Sequence, residues 1–178
     1  MRILVVAAHP DDEVLGCGGS IAKWVKAGDE VHVIIMAEGL TSRDEQRNIA
    51  NHEKELLRLA ETAQQASKVL GVKSIELLDY PDNRMDSVDL LDVVKTIEKY
   101  IGQLKPEVVV THHFGDLNID HQIIHHYSIR GHLLARCSAA KGATRSDLRA
   151  RCVDAACSES GTKIHRSEHE FPHHTPIL

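Results

Sequence analysis

Four short runs of apolar, largely β-branched residues alternate with segments of helical periodicity, and this alternation constrains the fold of the chain most strongly. The runs are predicted to be strands at residues 2–8, 30–36, 73–79 and 107–111. Continuous apolar runs of this length are typical of strands that are buried on both faces of a sheet. Since parallel strands need long crossovers, the pattern predicts an α/β domain with a mostly parallel sheet and helices on both faces.

The segments between the strands carry the signals expected of crossover helices. Apolar residues recur at helical spacing, which predicts helices at residues 20–27, 52–70, 88–104 and 120–134. Gly71 directly follows the second of these and is predicted to end it. The polar and glycine-rich segment 9–19 is predicted to be a loop between the first strand and the first helix.

Length and charge exclude several classes of protein. A chain of 178 residues with 42% apolar residues fits one domain. Its formal net charge is −5, whereas nucleic-acid-binding proteins usually carry an excess of basic residues, so no nucleic-acid partner is expected. No apolar stretch approaches the roughly 20 residues that span a bilayer, and the first residues do not resemble a signal peptide. We therefore expect a cytoplasmic protein without a transmembrane segment.

The last part of the chain departs from this pattern. From residue 137 to residue 178 only six residues are large and apolar, and no period of two or 3.6 persists. We therefore predict a folded domain at residues 1–135. The tail at 136–178 is expected to be atypical, either disordered or the product of an altered reading frame, which leaves the C-terminal part of the fold incomplete.

Polar side chains that can carry chemistry cluster after the first predicted strand. His9, Asp11, Asp12 and Glu13 follow it directly, at the strand end where α/β sheets bind ligands. Zinc binds imidazole nitrogen and carboxylate oxygen, and neighbouring carboxylates can divide metal binding and general-base catalysis between them. Alternatively, these acids only complement the start of the next helix.

A second group of histidines and acids follows the fourth predicted strand. It comprises His112, His113, Asp116, Asp120, His121, His125 and His126. Isolated histidines of this kind are more often core or surface residues than metal ligands. Because the group lies at the same edge of the sheet as the first, the two together favour a shared metal site.

Three short motifs lie in or beside these polar segments: AHPDDE at residues 8–13, followed by LGCGGS, then YPDNR at 80–84 and GDLNIDH at 115–121. In this order they resemble the motifs of the PIG-L/LmbE-like zinc deacetylase family. The resemblance covers about residues 1–130. It implies a Rossmann-like fold and a hydrolase that uses metal-activated water to remove an N-acetyl group from an amino-sugar conjugate of the N-acetylglucosamine type.

Carried over by position, the resemblance implies a Zn²⁺ ion held by His9, Asp12 and His121, although another divalent transition metal would also suit these ligands. Asp11 would be the general base, and Asp120 would orient His121. Many family members have a histidine where this chain has Asn118. An asparagine can donate a hydrogen bond to an oxyanion but cannot act as an acid.

The resemblance also implies substrate contacts and partners. Asp82 and Arg84 resemble residues that contact the sugar, and Arg58 is a further candidate. The alternative for Arg58 and Arg84 is that they are solvated surface charges. The expected partner is a small-molecule amino sugar, and related enzymes often assemble, so a homo-oligomer is possible.

Two other functions remain open at this stage. Paired acids after a first strand also bind Mg²⁺ in receiver-like domains, where Asp79 would be the phosphate acceptor; His9 and His121 would then have no role. The chain could also be an inactive, truncated remnant that keeps the metal site. The glycines at 16–19 do not form the GxGxxG pattern, so a dinucleotide cofactor is not expected.

Overall fold

A computed structural model describes residues 1–128 and 152–155 of the chain. The strands are β1 (Arg2–Ala7), β2 (Glu30–Ala37), β3 (Ser74–Tyr80), β4 (Val108–His112) and β5 (Cys152–Ala155). The helices are α1 (Asp12–Lys26), α2 (Glu53–Leu70), α3 (Leu90–Leu104) and α4, which begins at residue 119 and is described to residue 128. Short 3₁₀ turns lie at Thr41–Arg43, Ile49–His52 and Met85–Ser87.

The five strands form one sheet in the order β3-β2-β1-β4-β5, and every neighbouring pair is parallel. The central strand β1 pairs with β2 on one side, where Leu4 lies opposite His32, and with β4 on the other, where it lies opposite Val109. The strand order therefore reverses between β1 and β4. The predicted parallel α/β architecture is confirmed.

Two apolar layers cover the two faces of the sheet. Helices α3 and α4 pack on one face, where Ile97 and Ile124 are fully buried beside residues of β1 and β2. Helices α1 and α2 cover the other face, with Ile21 of α1 and Ala63 of α2 in its core. The alternation of side chains along each strand divides its apolar residues between these layers, which explains the continuous apolar runs in the sequence.

Helix α1 begins eight residues earlier than the sequence pattern predicted. The segment predicted to be a loop contains its first turns, and Asp12 and Glu13 lie where negative charge complements the helix dipole. The glycine-rich stretch does not interrupt the helix but kinks it at Cys17, whose φ of −143° is not helical. A Cβ atom built at the buried Gly18 would lie 4.0 Å from Leu70 of α2, so the kinked turn lies beside that helix.

Gly39 brings the segment after β2 against the residue that follows His9. Its φ of +83° is in the left-handed region, and a Cβ atom built there would lie 2.6 Å from Pro10 Cδ. Any other residue would therefore be strained and would displace Pro10. This close approach fixes the β2–α2 connection beside the carboxyl end of β1.

The predicted domain boundary at residue 135, the end predicted for α4 and most of the predicted tail lie outside the described residues. Within that tail, Cys152–Ala155 forms β5 and pairs with β4. No helix in the described ranges is both long enough and apolar enough to traverse a bilayer.

Candidate metal centre

The candidate site lies where the strand order reverses. His9 follows the end of β1 by two residues, and His112 is the last residue of β4. The neighbouring strand ends diverge into different crossovers at this point, which opens a crevice at the carboxyl edge of the sheet. His121, near the start of α4, faces the same crevice from the β4 side.

Three potential ligand atoms form a nearly equilateral triangle in this crevice. His9 Nδ1 lies 3.3 Å from Asp12 Oδ2, and His121 Nε2 lies 3.2 Å from that same oxygen. The two ring nitrogens are 3.3 Å apart. Thus the three side chains that the resemblance implied as ligands, from segments more than 100 residues apart, converge on one point.

The dimensions of this triangle fit a tetrahedral metal. With zinc–nitrogen and zinc–oxygen bonds of about 2.0–2.1 Å, two ligand atoms of a regular tetrahedron are about 3.3–3.4 Å apart. Two imidazoles and one carboxylate are also ligands that zinc commonly takes at catalytic centres. The donor set therefore fits one face of such a site, with a fourth position left for a water or a substrate.

The far side of the His9 ring is held by two carboxylates. His9 Nε2 lies 3.1 Å from Asp120 Oδ2 and 3.2 Å from Asp82 Oδ1. The prediction that Asp120 orients His121 differs from the structure, in which the carboxylate contacts His9. Successive residues of a helix point about 100° apart, so Asp120 turns into the core, where it is fully buried, while His121 faces the crevice.

Asp116 occupies the role toward His121 that the sequence suggested for Asp120. Its Oδ2 lies 3.0 Å from His121 Nδ1, and its Oδ1 accepts a hydrogen bond from the Asn118 backbone N–H at 3.0 Å. Such carboxylate–imidazole contacts fix the tautomer and orientation of a metal-binding histidine. Sequence reasoning assigned Asp116 no role, although an aspartate in the loop just before a helical histidine was an available signal.

His112 forms one wall of the site. Its Nε2 accepts a hydrogen bond from the Ala8 backbone N–H at 2.8 Å, and its ring stacks on His121 with centroids 3.8 Å apart. Burial and the neighbouring His121 charge lower the pKa of His112 to about 4. Both the accepted hydrogen bond and the lowered pKa indicate a neutral ring that supports His121 by packing.

The crevice strongly favours positive charge. Burial alone would lower the pKa of His9, but hydrogen bonds to Asp12, Asp120 and Asp82 raise it to about 11. Burial alone would likewise raise the pKa of Asp12, whereas its hydrogen bonds to His121 and His9 lower it far below its usual value. Three carboxylates grouped around one imidazole make an electronegative pocket, as binding of a divalent cation requires.

Asp11 and Glu13 flank the candidate ligand Asp12 but differ in exposure. The Asp11 carboxylate is exposed and makes no hydrogen bond to another side chain among the described residues, and partial burial and the adjacent Asp12 charge raise its pKa. Glu13 is only 2% exposed, and burial raises its pKa to about 7. Of the two, only Asp11 is available to a ligand in the crevice.

Asn118 caps helix α4. Its Oδ1 accepts hydrogen bonds from the backbone N–H groups of Asp120 at 2.9 Å and His121 at 3.3 Å. Its Nδ2 donates to Asn83 Oδ1 at 2.8 Å. An asparagine amide carries two N–H donors, so this arrangement uses one of them and leaves the other for a ligand.

The three residues predicted to contact a sugar differ in their exposure and in their hydrogen-bond partners. Asp82 is only 3% exposed, and it contacts His9 and accepts from the Ser42 backbone N–H. Arg84 donates through Nη2 to the carbonyl oxygens of Asp44 and Glu45, at 2.5 and 3.4 Å. The side chains of Asp82 and Arg84 therefore bind other residues of this chain.

Arg58 is the third of these residues. It is an exposed residue of α2, and its guanidinium makes no hydrogen bond or ion pair within residues 1–128. Of the three, Arg58 is the residue whose side chain makes no hydrogen bond or ion pair within residues 1–128.

Comparison with models of known protein families shows to which family the chain belongs. It matches the PIG-L family, described as GlcNAc-PI de-N-acetylase, over residues 4–130. That match spans most of the 178 residues, and the chain belongs to the PIG-L family. The resemblance inferred from the three sequence motifs is confirmed.

Curated relatives of the chain carry deacetylase names. The diacetylchitobiose deacetylase of Thermococcus kodakarensis is 31% identical over 109 residues, which are 61% of this chain and 39% of that protein. The uncharacterized deacetylase YaiS of Escherichia coli is 30% identical over 132 residues, 71% of this chain and 65% of that protein. The 1D-myo-inositol 2-acetamido-2-deoxy-alpha-D-glucopyranoside deacetylase of Mycolicibacterium smegmatis is 33% identical, with 62% and 45% covered. The chain thus spans between 39% and 65% of the length of these relatives.

Solved structures share the fold. GalB, the 4-carboxy-2-hydroxymuconate hydratase from Pseudomonas putida, superposes with a TM-score of 0.68 at 26% identity, covering 85% of this chain and 65% of that one. The N,N'-diacetylchitobiose deacetylase from Pyrococcus horikoshii also reaches 0.68, at 21% identity, with 86% and 59% covered. The fold is therefore shared by proteins whose names describe different reactions.

Proposed function

We propose that this chain is the catalytic domain of a zinc-dependent N-deacetylase that removes the acetyl group from an amino-sugar conjugate. The observation that carries the proposal is the triangle of His9 Nδ1, Asp12 Oδ2 and His121 Nε2, with sides of 3.2–3.3 Å. Its dimensions and donor types suit zinc, and its position at the strand-order reversal gives a substrate access to it.

Zinc bound at this triangle would act as a Lewis acid toward an acetamide oxygen and would lower the pKa of a bound water toward neutrality. Asp11 is proposed to be the general base that takes the proton of the attacking water. Its carboxylate binds no other side chain among the described residues, and its raised pKa brings it closer to the operating range of a base. Once protonated, Asp11 can return the proton to the leaving amine.

Asn118 and Arg58 are proposed to bind the substrate. The second N–H of the Asn118 amide can donate to the acetamide oxygen as negative charge develops on it. Since an asparagine cannot give up a proton, Asp11 remains the proposed proton carrier in both directions. The guanidinium of Arg58 is proposed to contact the sugar. Asp82 and Arg84 are proposed to support the site indirectly, through their contacts with His9 and with the Asp44 carbonyl oxygen.

The substrate class rests on the names of the relatives. Diacetylchitobiose and the inositol-linked 2-acetamido-2-deoxyglucopyranoside both contain an acetamido group on a hexopyranose ring. We propose the same acetamido sugar unit as the substrate here. The cytoplasmic location and the homo-oligomer stay predictions.

The receiver-like alternative does not agree with the fold. Receiver domains have the strand order 2-1-3-4-5, whereas this sheet has the order β3-β2-β1-β4-β5. A hydratase reaction, as named for GalB, and an inactive remnant are the remaining alternatives, and both are outcomes of the experiment below.

The test measures metal content and product release together. The purified chain is loaded with zinc, and its zinc content is measured by elemental analysis. Acetate release is then followed on N-acetylglucosamine, N,N'-diacetylchitobiose and glycosides of N-acetylglucosamine. We expect about one zinc per chain and acetate release from at least one conjugate.

His121→Ala should remove both the zinc and the activity. The matched control is His126→Ala, an exposed histidine five residues further along the same helix, which should retain both. A chain that binds zinc but releases no acetate would be a remnant, or a hydratase if it hydrates an unsaturated carboxylate instead. Equal zinc binding by His121→Ala and the unmodified chain would refute the proposed metal centre.

A further inference from the structure

We infer that Asn83 is a positioning residue of the metal centre, which fixes the ring of His9 by donating hydrogen bonds to both carboxylates that hold it. The inference rests on the proposed function, because it assigns a role toward the same metal. Neither the sequence motifs nor the relatives assign a role to this residue. It lies in the connection between β3 and α3, outside the proposed ligand set.

The two donors of Asn83 reach the same two oxygen atoms that face His9. Its backbone N–H donates to Asp120 Oδ2 at 2.7 Å, and its side-chain Nδ2 donates to Asp82 Oδ1 at 3.0 Å. These oxygens lie 3.1 and 3.2 Å from His9 Nε2. One residue thus holds both carboxylate oxygens in place against a single ring nitrogen.

The backbone of Asn83 is in an uncommon conformation that makes this double contact possible. Its φ is +52°, in the left-handed region, which asparagine tolerates better than most residues other than glycine. The turn directs the backbone N–H toward α4 while the amide reaches back to the preceding Asp82. An asparagine therefore meets two requirements here, the positive φ and the side-chain donor.

A third contact links the residue to the helix that carries His121. Asn83 Oδ1 accepts a hydrogen bond from Asn118 Nδ2 at 2.8 Å, and Asn118 caps α4. The contacts of Asn83 thus reach His9 through two carboxylates and the start of α4 through one amide. Because the preferred position of a metal ligand is set by such outer contacts, we expect Asn83 to influence how well the two imidazoles are spaced for zinc.

The backbone and side-chain contributions can be separated with glycine. Asn83→Gly keeps the positive φ and the N–H donor to Asp120 but removes the amide contacts to Asp82 and Asn118. Lys105→Gly is the matched control, because Lys105 is the other non-glycine residue with positive φ among those described, at +48°. It ends α3 just before β4 begins, at the opposite edge of the sheet from the site.

Zinc affinity is measured by competition with a chromophoric chelator, and the melting temperature of the metal-free protein is measured separately. Loss of an outer contact to a metal ligand typically weakens binding about 10- to 100-fold. Since Asn83 acts through the carboxylates, we expect Asn83→Gly to weaken zinc binding about 3- to 10-fold. Lys105→Gly should leave it unchanged, and the melting temperatures separate a loss of zinc affinity from a general loss of stability.

Crystal structures of the metal-free variants give a second readout that does not depend on zinc. With the amide removed, the Asp82 carboxylate should rotate away from His9 Nε2, and the His9 ring should leave the position that it has here. Unchanged zinc affinity together with an unchanged His9 ring in Asn83→Gly would overturn the inference. If the unmodified chain binds no zinc, the proposed function fails by itself, and the metal-free structures still decide the role of Asn83.

Discussion

Asp116 Oδ2 lies 3.0 Å from His121 Nδ1, on the side of the ring that faces away from Asp12. The loop that carries Asp116 connects β4 to α4, and the histidine lies in the first turns of that helix. With Nδ1–H donated to this carboxylate, Nε2 keeps its lone pair directed at His9 and Asp12. The loop therefore selects which nitrogen of His121 is available to a metal.

Replacing Asp116 by asparagine tests this selection. The isosteric Asp116→Asn variant keeps an oxygen that can accept from the Asn118 backbone but removes the negative charge beside His121. We expect about a 10- to 100-fold loss of zinc affinity, measured by chelator competition. Asp92→Asn, an exposed aspartate on α3, is the control and should bind zinc as the unmodified chain does. Equal affinities for Asp116→Asn and the control would contradict the prediction.

Asp11→Asn should separate metal binding from turnover. The Asp11 carboxylate is exposed and makes no hydrogen bond to a candidate ligand side chain, so its loss should leave the zinc content unchanged. A positioned general base typically contributes about 10²- to 10⁴-fold to a rate, and we expect kcat for acetate release to fall by that factor. Elemental analysis and steady-state kinetics on the same preparation provide both numbers. A variant that keeps most of its kcat would exclude Asp11 as the base.

His32 should make the stability of the fold depend on pH. The residue lies in β2, where its Nδ1 is 2.7 Å from Ser74 Oγ, and burial together with the Lys73 charge lowers its pKa below the ordinary value of 6.5. As the pH falls through 6.5, the unfolded chain takes up a proton on this ring before the folded chain does, so the folded state loses stability. Above that pH the ring is neutral in both states and this contribution is fully present.

The measurement compares denaturant unfolding at pH 7.5 and pH 5.5. We expect His32→Gln to lose less stability between these two pH values than the unmodified chain does. His126→Gln, which replaces an exposed histidine, should retain the full pH dependence. A His32→Gln variant with an undiminished pH dependence would show that other groups cause it.

Ile97 should contribute substantially to stability. It lies on α3 in the apolar layer between this helix and the sheet and is fully buried. Ile97→Ala leaves a cavity there, and we expect a loss of about 2–5 kcal/mol in the free energy of unfolding. Leu117, which is 96% exposed, provides the comparison, since Leu117→Ala should change it by no more than about 0.5 kcal/mol. Similar losses in both variants would contradict the described packing.

The parallel sheet could be predicted from the sequence because its strands are buried on both faces. Short, continuous apolar runs rich in β-branched residues are typical of such strands, and the crossovers between them carried clear helical periodicity. The start of α1 could not be predicted in the same way. Four residues at 16–19, three of them glycines, indicate a loop by local propensity, but the helix buries Cys17 and Ile21 in the core, and tertiary packing overrides propensity.

The candidate ligands could be named from the sequence, but their supporting contacts could not. His9, Asp12 and His121 belong to short motifs that follow predicted strands. Whether Asp116 or Asp120 contacts His121 depends on the rotation of α4 about its axis and on the path of the loop before it. A motif contains neither of these, so the sequence alone could not show that Asp116 contacts His121 while Asp120 contacts His9.

The placement of β1 between β2 and β4 has a consequence for when the candidate metal site forms during folding. The two imidazoles of the triangle belong to segments separated by 112 residues, and they meet only after β4 has docked beside β1. Closing so long a stretch of chain is entropically costly, so we expect this docking to follow the formation of the local helices. A metal cannot nucleate such a structure as it does in a zinc finger, where neighbouring ligands gather around the ion first. Metal uptake by a newly made chain would instead report that both halves of the sheet have already joined.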